Sequence, residues 1–348
     1  MSLIKNIFII LAVIVLAVSG VIIAENLFGT SLFSQQVGYS SQAASSTVYI
    51  QNGVSGVVTL TDPFLGRTVN INVNYDPIDS GSGVIVNNNG YIITAFHVIG
   101  DPNSEINDNQ LKLMSSNDVE YYLEEAAVTS YMSQDNPQLG SELLNNNTTV
   151  NSNVQANSSN NNINNVLELL NQRNLINANS YKQGIRVKLP SSSSFINASI
   201  IDVGDASTDE DVALLKVNAN NLPSLSINSQ QPQANENLRI YGYPGNSTES
   251  QFYQTDSSVT PSTSTGNLQS EVTNSLNILY YETSAKVSEG FSGGPVLDNQ
   301  NNILGIVIYS VATQNRLRQI TNSQSSVFLS SKYLIQLCNK NHIPITLN

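Results

Sequence analysis

The chain has very little of three residue types that often carry chemistry or hold a fold together: it has one cysteine, two histidines and no tryptophan. The single cysteine, Cys338, excludes an internal disulfide framework, and we interpret it as a residue packed in a helix. The sequence also shows no pattern of metal ligands. We therefore predict neither a metal site nor a cofactor.

Basic residues are scarce as well, because 14 lysines and arginines stand against 26 aspartates and glutamates, for a formal net charge of −12. Without a basic stripe the chain cannot neutralise a phosphate backbone, so we expect no nucleic-acid partner. Charged residues make up only 11% of the sequence, so asparagine, serine, threonine and glutamine supply much of its polarity. Alternating apolar and polar residues, as in 69–73 and 185–189, predict β-strands.

Three short segments contain the residue types of a hydrolytic site. They read Thr-Ala-Phe-His at 94–97, Asp-Val-Ala-Leu-Leu-Lys at 211–216 and Gly-Phe-Ser-Gly-Gly-Pro at 290–295. A serine hydroxyl is a weak nucleophile at neutral pH and needs an imidazole to accept its proton, while a carboxylate orients that imidazole. We assign these roles to Ser292, His97 and Asp211.

Each of these segments alone is a weak signal, since Ser-Gly-Gly-Pro is most often a turn and an aspartate often begins a strand. The other histidine, His342, lies at the predicted end of a C-terminal helix, which leaves His97 as the base. Glycine at 290 leaves its backbone N–H unobstructed. This group and the N–H of Ser292 can form an oxyanion hole.

The three segments belong to a longer series that resembles the HtrA/Deg branch of the trypsin-like serine proteases. The similarity runs through residues 81–86, 90–94, 97–99, 185–189, 198–201, 240–245 and 283–285, and covers most of residues 45–335. It implies an all-β fold of two six-stranded antiparallel β-barrels with a C-terminal helix. It also implies serine endopeptidase activity on protein or peptide substrates, through an acyl-enzyme intermediate.

The chain departs from the family pattern next to the nucleophile and after it. Phe291 stands where the family has Asn or Asp, which argues against activation by a newly cut N-terminus as in trypsin-type zymogens. Too few residues follow Ser292 to form a PDZ domain beside the remaining strands and helix, so we expect none. Phe291 is also the main support for the alternative function, a catalytically inactive protease fold that serves as a surface interaction or scaffold protein.

A long insertion, residues 101–182, separates His97 from Asp211 and has no counterpart in the family. Its centre is rich in asparagine and serine, and such sequence buries too little apolar surface to offset its ordering entropy, so we expect most of it to be mobile. Apolar patterns at 111–127 and 166–176 predict short elements within it. We expect the barrel to fold without the insertion, which is either a lid or substrate selector beside the cleft or a loop without a catalytic role.

The N-terminal residues indicate where the protein acts. Residues 7–24 form an uncharged, mostly apolar run with Lys5 before it and Glu25 after it. This length is sufficient for a transmembrane helix, and the positive-inside rule places the catalytic domain outside the cell membrane. The alternative is a cleaved signal peptide and a secreted protein. Glycosylation sequons consistent with an outward-facing protein begin at Asn146, Asn147, Asn157, Asn197 and Asn246.

The predicted domain boundaries follow from these features. They are an anchor or signal segment at 1–26, a linker at 27–44, a first barrel at 45–220 interrupted by the insertion 101–182, a second barrel at 221–335, and a helix end and tail at 336–348.

Substrate preference depends on two positions that the resemblance singles out. Lys286, six residues before Ser292, corresponds to the base of the primary specificity pocket, where an ammonium group would favour acidic side chains. Lys286 can equally pair with Glu289 or reach solvent, and the HtrA-like pocket usually suits small or aliphatic side chains. Tyr309 resembles the strand position against which the substrate backbone pairs.

Overall fold

The computed structural model describes residues 42–101, 112–145, 159–190, 192–205, 207–208, 210–245, 261–308 and 325–348. Within these ranges the chain forms two closed β-barrels of six antiparallel strands, and a helix follows the second barrel. The predicted fold class is therefore confirmed. The predicted transmembrane segment, residues 7–24, lies outside the described residues, and no helix of the described part is both long and apolar enough to cross a membrane.

The first barrel has the strand order β1-β2-β3-β6-β5-β4, and all neighbouring strands are antiparallel. Its strands are β1 (Thr47–Asp62), β2 (Arg67–Asn87), β3 (Tyr91–Thr94), β4 (Ile176–Lys188), β5 (Phe195–Val203) and β6 (Ala213–Val217). Alternate residues of a strand point to the same side, so Val48 and Ile50 of β1 are buried together with Ile185 and Val187 of β4. The barrel interior is thus filled by branched aliphatic side chains.

The second barrel has the strand order β10-β11-β12-β9-β8-β7. Its strands are β7 (Asn237–Gly242), β8 (Ser262–Thr273), β9 (Leu279–Thr283), β10 (Pro295–Leu297), β11 (Ile303–Val307) and β12 (Ser326–Ser330). One hydrophobic cluster includes Val84 and Leu214 of the first barrel and Ile306 and Leu329 of the second. The two barrels therefore share a buried interface.

Strands β1, β2 and β4 continue beyond the first barrel and carry three helices, α1 (Ser116–Gln134), α2 (Leu139–Asn145) and α3 (Ser159–Gln172). We call these helices, together with residues 54–78 and 176–180 of the strands, the helical cap. The cap has its own hydrophobic core, in which Val54, Val58, Leu123 and Leu170 are fully buried. The prediction of a mostly mobile insertion is wrong for its described residues, because their apolar side chains face the strands at helical spacing and are removed from water.

The predicted end of the insertion, residue 182, falls inside a strand of the first barrel. Strand β4 begins at Ile176, and it pairs with β1 from Leu60 opposite Ile176 through Val57 opposite Ser180. The two backbones are so close there that a Cβ on Gly56 would lie 2.0 Å from the Ser180 carbonyl oxygen. Residues 176–180 therefore form the cap portion of β4 and are continuous with its barrel portion. That the barrel folds without the insertion stays a prediction.

Within the helical cap, a buried carboxylate fastens the end of α1 to the turn between β1 and β2. Asp62 accepts hydrogen bonds from the Tyr131 hydroxyl and the Asn136 amide, both at 2.9 Å. It also accepts from the backbone N–H groups of Phe64 and Leu65. Burial alone would raise the pKa of Asp62, but these four hydrogen bonds outweigh burial and lower it. The end of α1 is thereby tied to the strands.

The C-terminal helix α4 (Ser331–Lys340) packs on the cluster shared by the barrels through Leu334, Leu337 and Cys338. The predicted boundary at 335/336 thus lies inside this helix. Cys338 is buried, as expected for a residue packed in a helix, and burial raises its thiol pKa to about 12. His342 follows the helix as an exposed residue with a positive φ of 55°.

Candidate active site

The pairing of two strands brings the candidate base and its carboxylate together. His97 lies in a short 3₁₀ helix, Phe96–Val98, just after β3, while Asp211 lies just before β6. Strands β3 and β6 pair, with Thr94 opposite Ala213, so the end of one strand meets the start of the other. Two residues that are 114 positions apart in the sequence are thus adjacent in space.

Asp211 holds the His97 residue at two points. Its Oδ2 lies 2.7 Å from His97 Nδ1, and its Oδ1 accepts the backbone N–H of His97 at 3.0 Å. Asp211 is only 2% exposed, so this contact is shielded from water. Because an ionised carboxylate can only accept, Nδ1 carries the proton and Nε2 is the nitrogen able to take one up.

The candidate nucleophile lies on a tight turn pressed against the first barrel. Ser292 is buried, and its carbonyl accepts the N–H of Ser82 at 2.8 Å. The next residue, Gly293, has a φ of 79°, and a Cβ there would lie 2.2 Å from the Thr94 hydroxyl. A side chain at 293 is excluded both by backbone conformation and by space, and this close approach brings Ser292 to the strand that leads to His97.

The Gly290 N–H is held in one orientation. The carbonyl of Glu289 accepts the Gly245 N–H at 2.7 Å, and a trans peptide directs the N–H of the next residue to the opposite side. Among the described residues, this N–H has no hydrogen-bond partner. It is therefore available to a ligand, as an oxyanion hole requires.

Phe291, the departure from the family pattern, is buried in the core of the second barrel. It belongs to a cluster with Ile240, Tyr281 and Phe328, and its ring packs directly on Gly242, where a Cβ would lie 2.6 Å away. Where trypsin-type zymogens have an aspartate that pairs with a new N-terminus, this chain has an apolar side chain that packs in the barrel core. This packing fixes the position of the loop that carries the nucleophile.

Only one of the two predicted specificity residues lies in the described part of the chain. Lys286 is exposed on the segment that follows β9, and Tyr309 lies outside the described residues. The sequence did not identify Ser82 as a functional residue, because it was noted only within the similar segment 81–86. A serine between two glycines in an apolar strand was the available signal.

No group of three or more His, Cys, Asp or Glu residues in the described part of the chain could hold a metal ion. The family model of the trypsin-like peptidase domain matches residues 81–306, well over half of the chain. This range contains His97, Asp211 and Ser292 as well as the described helices of the cap. No curated protein matches the chain significantly.

Proposed function

The chain belongs to the trypsin-like peptidase domain family, and we propose that it is an active serine endopeptidase with Ser292, His97 and Asp211 as its catalytic triad. The observation that carries the proposal is the buried contact between the Asp211 carboxylate and His97 Nδ1 at 2.7 Å. That contact sets the tautomer of the imidazole and stabilises the positive charge that forms on it.

The proposed reaction uses each group at a defined atom. His97 Nε2 takes the proton from Ser292 Oγ as this oxygen bonds to the carbonyl carbon of the scissile peptide. The N–H groups of Gly290 and Ser292 bind the oxyanion of the tetrahedral intermediate. The C–N bond then breaks, the leaving amine takes the proton from His97, and an acyl-enzyme remains. Water attacks this ester with the same general base and releases the acid and the free serine.

Membership of the HtrA/Deg branch is the finer part of the proposal. It is supported by the series of motifs that runs from Gly81 to Ala285. We also propose that residues 7–24 anchor the protein in the cell membrane with the protease outside, and the competing form is a secreted protein. Retention of the mature protein in membranes after a carbonate wash supports the anchor, whereas a mature N-terminus near Gly20 and protein in the medium support secretion.

A fluorophosphonate probe tests the proposed activity, because it reacts with a serine that is activated by its own site. The wild type is expected to label, and Ser292→Ala is expected to lose the label entirely. His97→Ala should lose nearly all peptidase activity, and its combination with Ser292→Ala should cost little more, because the residues act as a unit. A folded wild type that binds a partner yet never labels would instead identify the inactive scaffold.

A further inference from the structure

Ser82 is fully buried where the two barrels meet, and it contacts the second barrel at three points. Its N–H donates to the Ser292 carbonyl at 2.8 Å. Its hydroxyl donates to the Gly290 carbonyl at 2.6 Å and accepts the Tyr243 N–H at 2.9 Å. In the other direction, its carbonyl accepts the Thr94 hydroxyl at 2.7 Å. One serine thus links the strand before His97 to the loop around the nucleophile.

The hydroxyl of Ser82 acts on the peptide that follows Gly290. Gly245 holds the peptide before Gly290 through the Glu289 carbonyl, and Ser82 holds the peptide after it through the Gly290 carbonyl. Gly290 has a φ of 87°, and glycine has more backbone conformations open to it than any other residue. The Gly245 hydrogen bond sets the direction of the Gly290 N–H, and the Ser82 hydrogen bond on the other side of the Gly290 Cα keeps that direction by limiting rotation about φ and ψ.

We propose that Ser82 is a positioning residue that holds the Gly290 N–H in the orientation needed to bind the oxyanion, so that the loop is formed without a newly cut N-terminus. The inference rests on the proposed peptidase function. Phe291 contributes two further restraints, because burial of its ring fixes where the loop lies and its N–H donates to the Ser288 carbonyl at 3.2 Å. The hydrogen bond from the Ser82 hydroxyl is the shorter of the two on this peptide, at 2.6 Å, and it ties the loop to the first barrel.

The test is a series at position 82, with Ser82→Cys and Ser82→Ala compared with the wild type. A thiol is a weak donor, so the series grades the strength of the bond to the Gly290 carbonyl. The control is Ser331→Ala, since Ser331 is a buried serine whose hydroxyl donates to the Asn228 carbonyl at 2.8 Å, far along the chain from the nucleophile. Each variant is assayed for kcat and KM with one peptide substrate. Its affinity is also measured for a peptide aldehyde, whose adduct with Ser292 places an oxygen in the oxyanion hole, and for the matching peptide alcohol.

Loss of a whole oxyanion donor costs about 100- to 1,000-fold in kcat, and a misdirected donor should cost less, about 10- to 100-fold in Ser82→Ala. The expected result is a fall in kcat in the order Ser, Cys, Ala with little change in KM. Aldehyde affinity should fall by the same factor, while alcohol affinity and all constants of Ser331→Ala stay at the wild-type values. Equal kcat across the series, or equal losses of aldehyde and alcohol affinity, would overturn the assignment. If Ser82→Ala does not fold, Ser82→Cys is compared with the wild type alone. Lower kcat and lower aldehyde affinity in Ser82→Cys would support the assignment, and unchanged values would overturn it. A wild type that neither labels nor cleaves removes the proposed function itself, and this inference falls with it.

Discussion

Strands β1, β2 and β4 each have an inner end in the first barrel and an outer end in the helical cap, and the two ends serve different purposes. At the inner end, Ser82 of β2 forms hydrogen bonds with fixed directions to the loop around the nucleophile. At the outer end, Val54 and Val58 of β1 fill a core with Leu123 and Leu170 of the helices. Catalytic activity depends on the directions of a few polar contacts, whereas the stability of the cap depends on close packing of its apolar side chains. This difference teaches that activity and stability should respond to different substitutions.

The largest effect is expected in the active site, from Asp211→Asn. An amide can donate to His97 Nδ1 and favours the wrong tautomer, so kcat/KM should fall by about 10,000-fold. The measurement is peptide hydrolysis alongside thermal unfolding, which should still show a folded protein with an intact cap.

The control for this substitution is Asp202→Asn. Asp202 pairs with Lys340 at 2.8 Å at the C-terminal end of α4, and its substitution should leave the activity near that of the wild type. Asp209, the other carboxylate near Asp211 in the sequence, lies outside the described residues. Retention of a tenth of the wild-type activity in Asp211→Asn would mean that another carboxylate orients His97.

The next effect is at the outer end, where Leu123→Ala removes a fully buried side chain from the cap core. The free energy of unfolding should fall by about 2–5 kcal/mol, because the lost contacts leave a cavity. The kcat/KM of the folded protein for a short peptide should remain within about twofold of the wild type. Urea unfolding and peptide hydrolysis under native conditions measure the two quantities.

Leu113→Ala serves as the matched control for the cap core, since Leu113 lies in the same insertion but is 43% exposed. Its effect on the free energy of unfolding should stay within about 0.5 kcal/mol. If Leu123→Ala lowers the activity of the folded protein in step with its stability, the cap and the active site are coupled and the comparison fails.

The smallest effect is expected at the outer tip of the helical cap and is tested with Asp62→Asn. Replacing the carboxylate weakens the hydrogen bonds to Tyr131 and Asn136 and should lower the free energy of unfolding by about 1–3 kcal/mol at neutral pH.

The pH dependence tests whether the charge of Asp62 is the cause. Because the pKa of Asp62 is lowered in the folded state, its charge stabilises the protein at pH values above the pKa of an unfolded aspartate, about 3.9. That stabilisation is lost as the pH falls through the folded pKa. The difference in the free energy of unfolding between wild type and variant should therefore shrink in acid. Urea unfolding at neutral pH and in acid measures this difference. A difference that is independent of pH would exclude the charge of Asp62 as its source.

The sequence predicted the barrels and the candidate catalytic residues for a physical reason. Strand alternation is local and predicted strands, whereas the two closed barrels were implied by the family resemblance. His97, Asp211 and Ser292 stand in short motifs at strand ends, where a few neighbouring residues determine the backbone. Their pairing also follows from the expected fold, since antiparallel β3 and β6 must bring His97 to Asp211. The assignment of their catalytic roles remains a prediction.

The helical cap and Ser82 could not be predicted in the same way. The cap core joins Val58 to Leu123 and Leu170, residues separated by long stretches whose asparagine-rich composition indicates disorder. The hydroxyl partners of Ser82 are 161 and 208 positions away in the sequence. A buried serine can satisfy its hydroxyl in many ways, so its role is visible only when both barrels are in place.

The single cysteine of the chain has a practical consequence for the study of movement in this molecule. Cys338 is buried and its thiol is kept protonated, so it reacts slowly with reagents that attack thiolates. Cysteines introduced at exposed Leu65 of the cap and at exposed Lys286 can then be modified selectively in the otherwise natural chain. Spin labels or fluorophores on such a pair would report the distance between the cap and the second barrel in solution. Substrate-dependent motion of the cap is therefore open to direct spectroscopy.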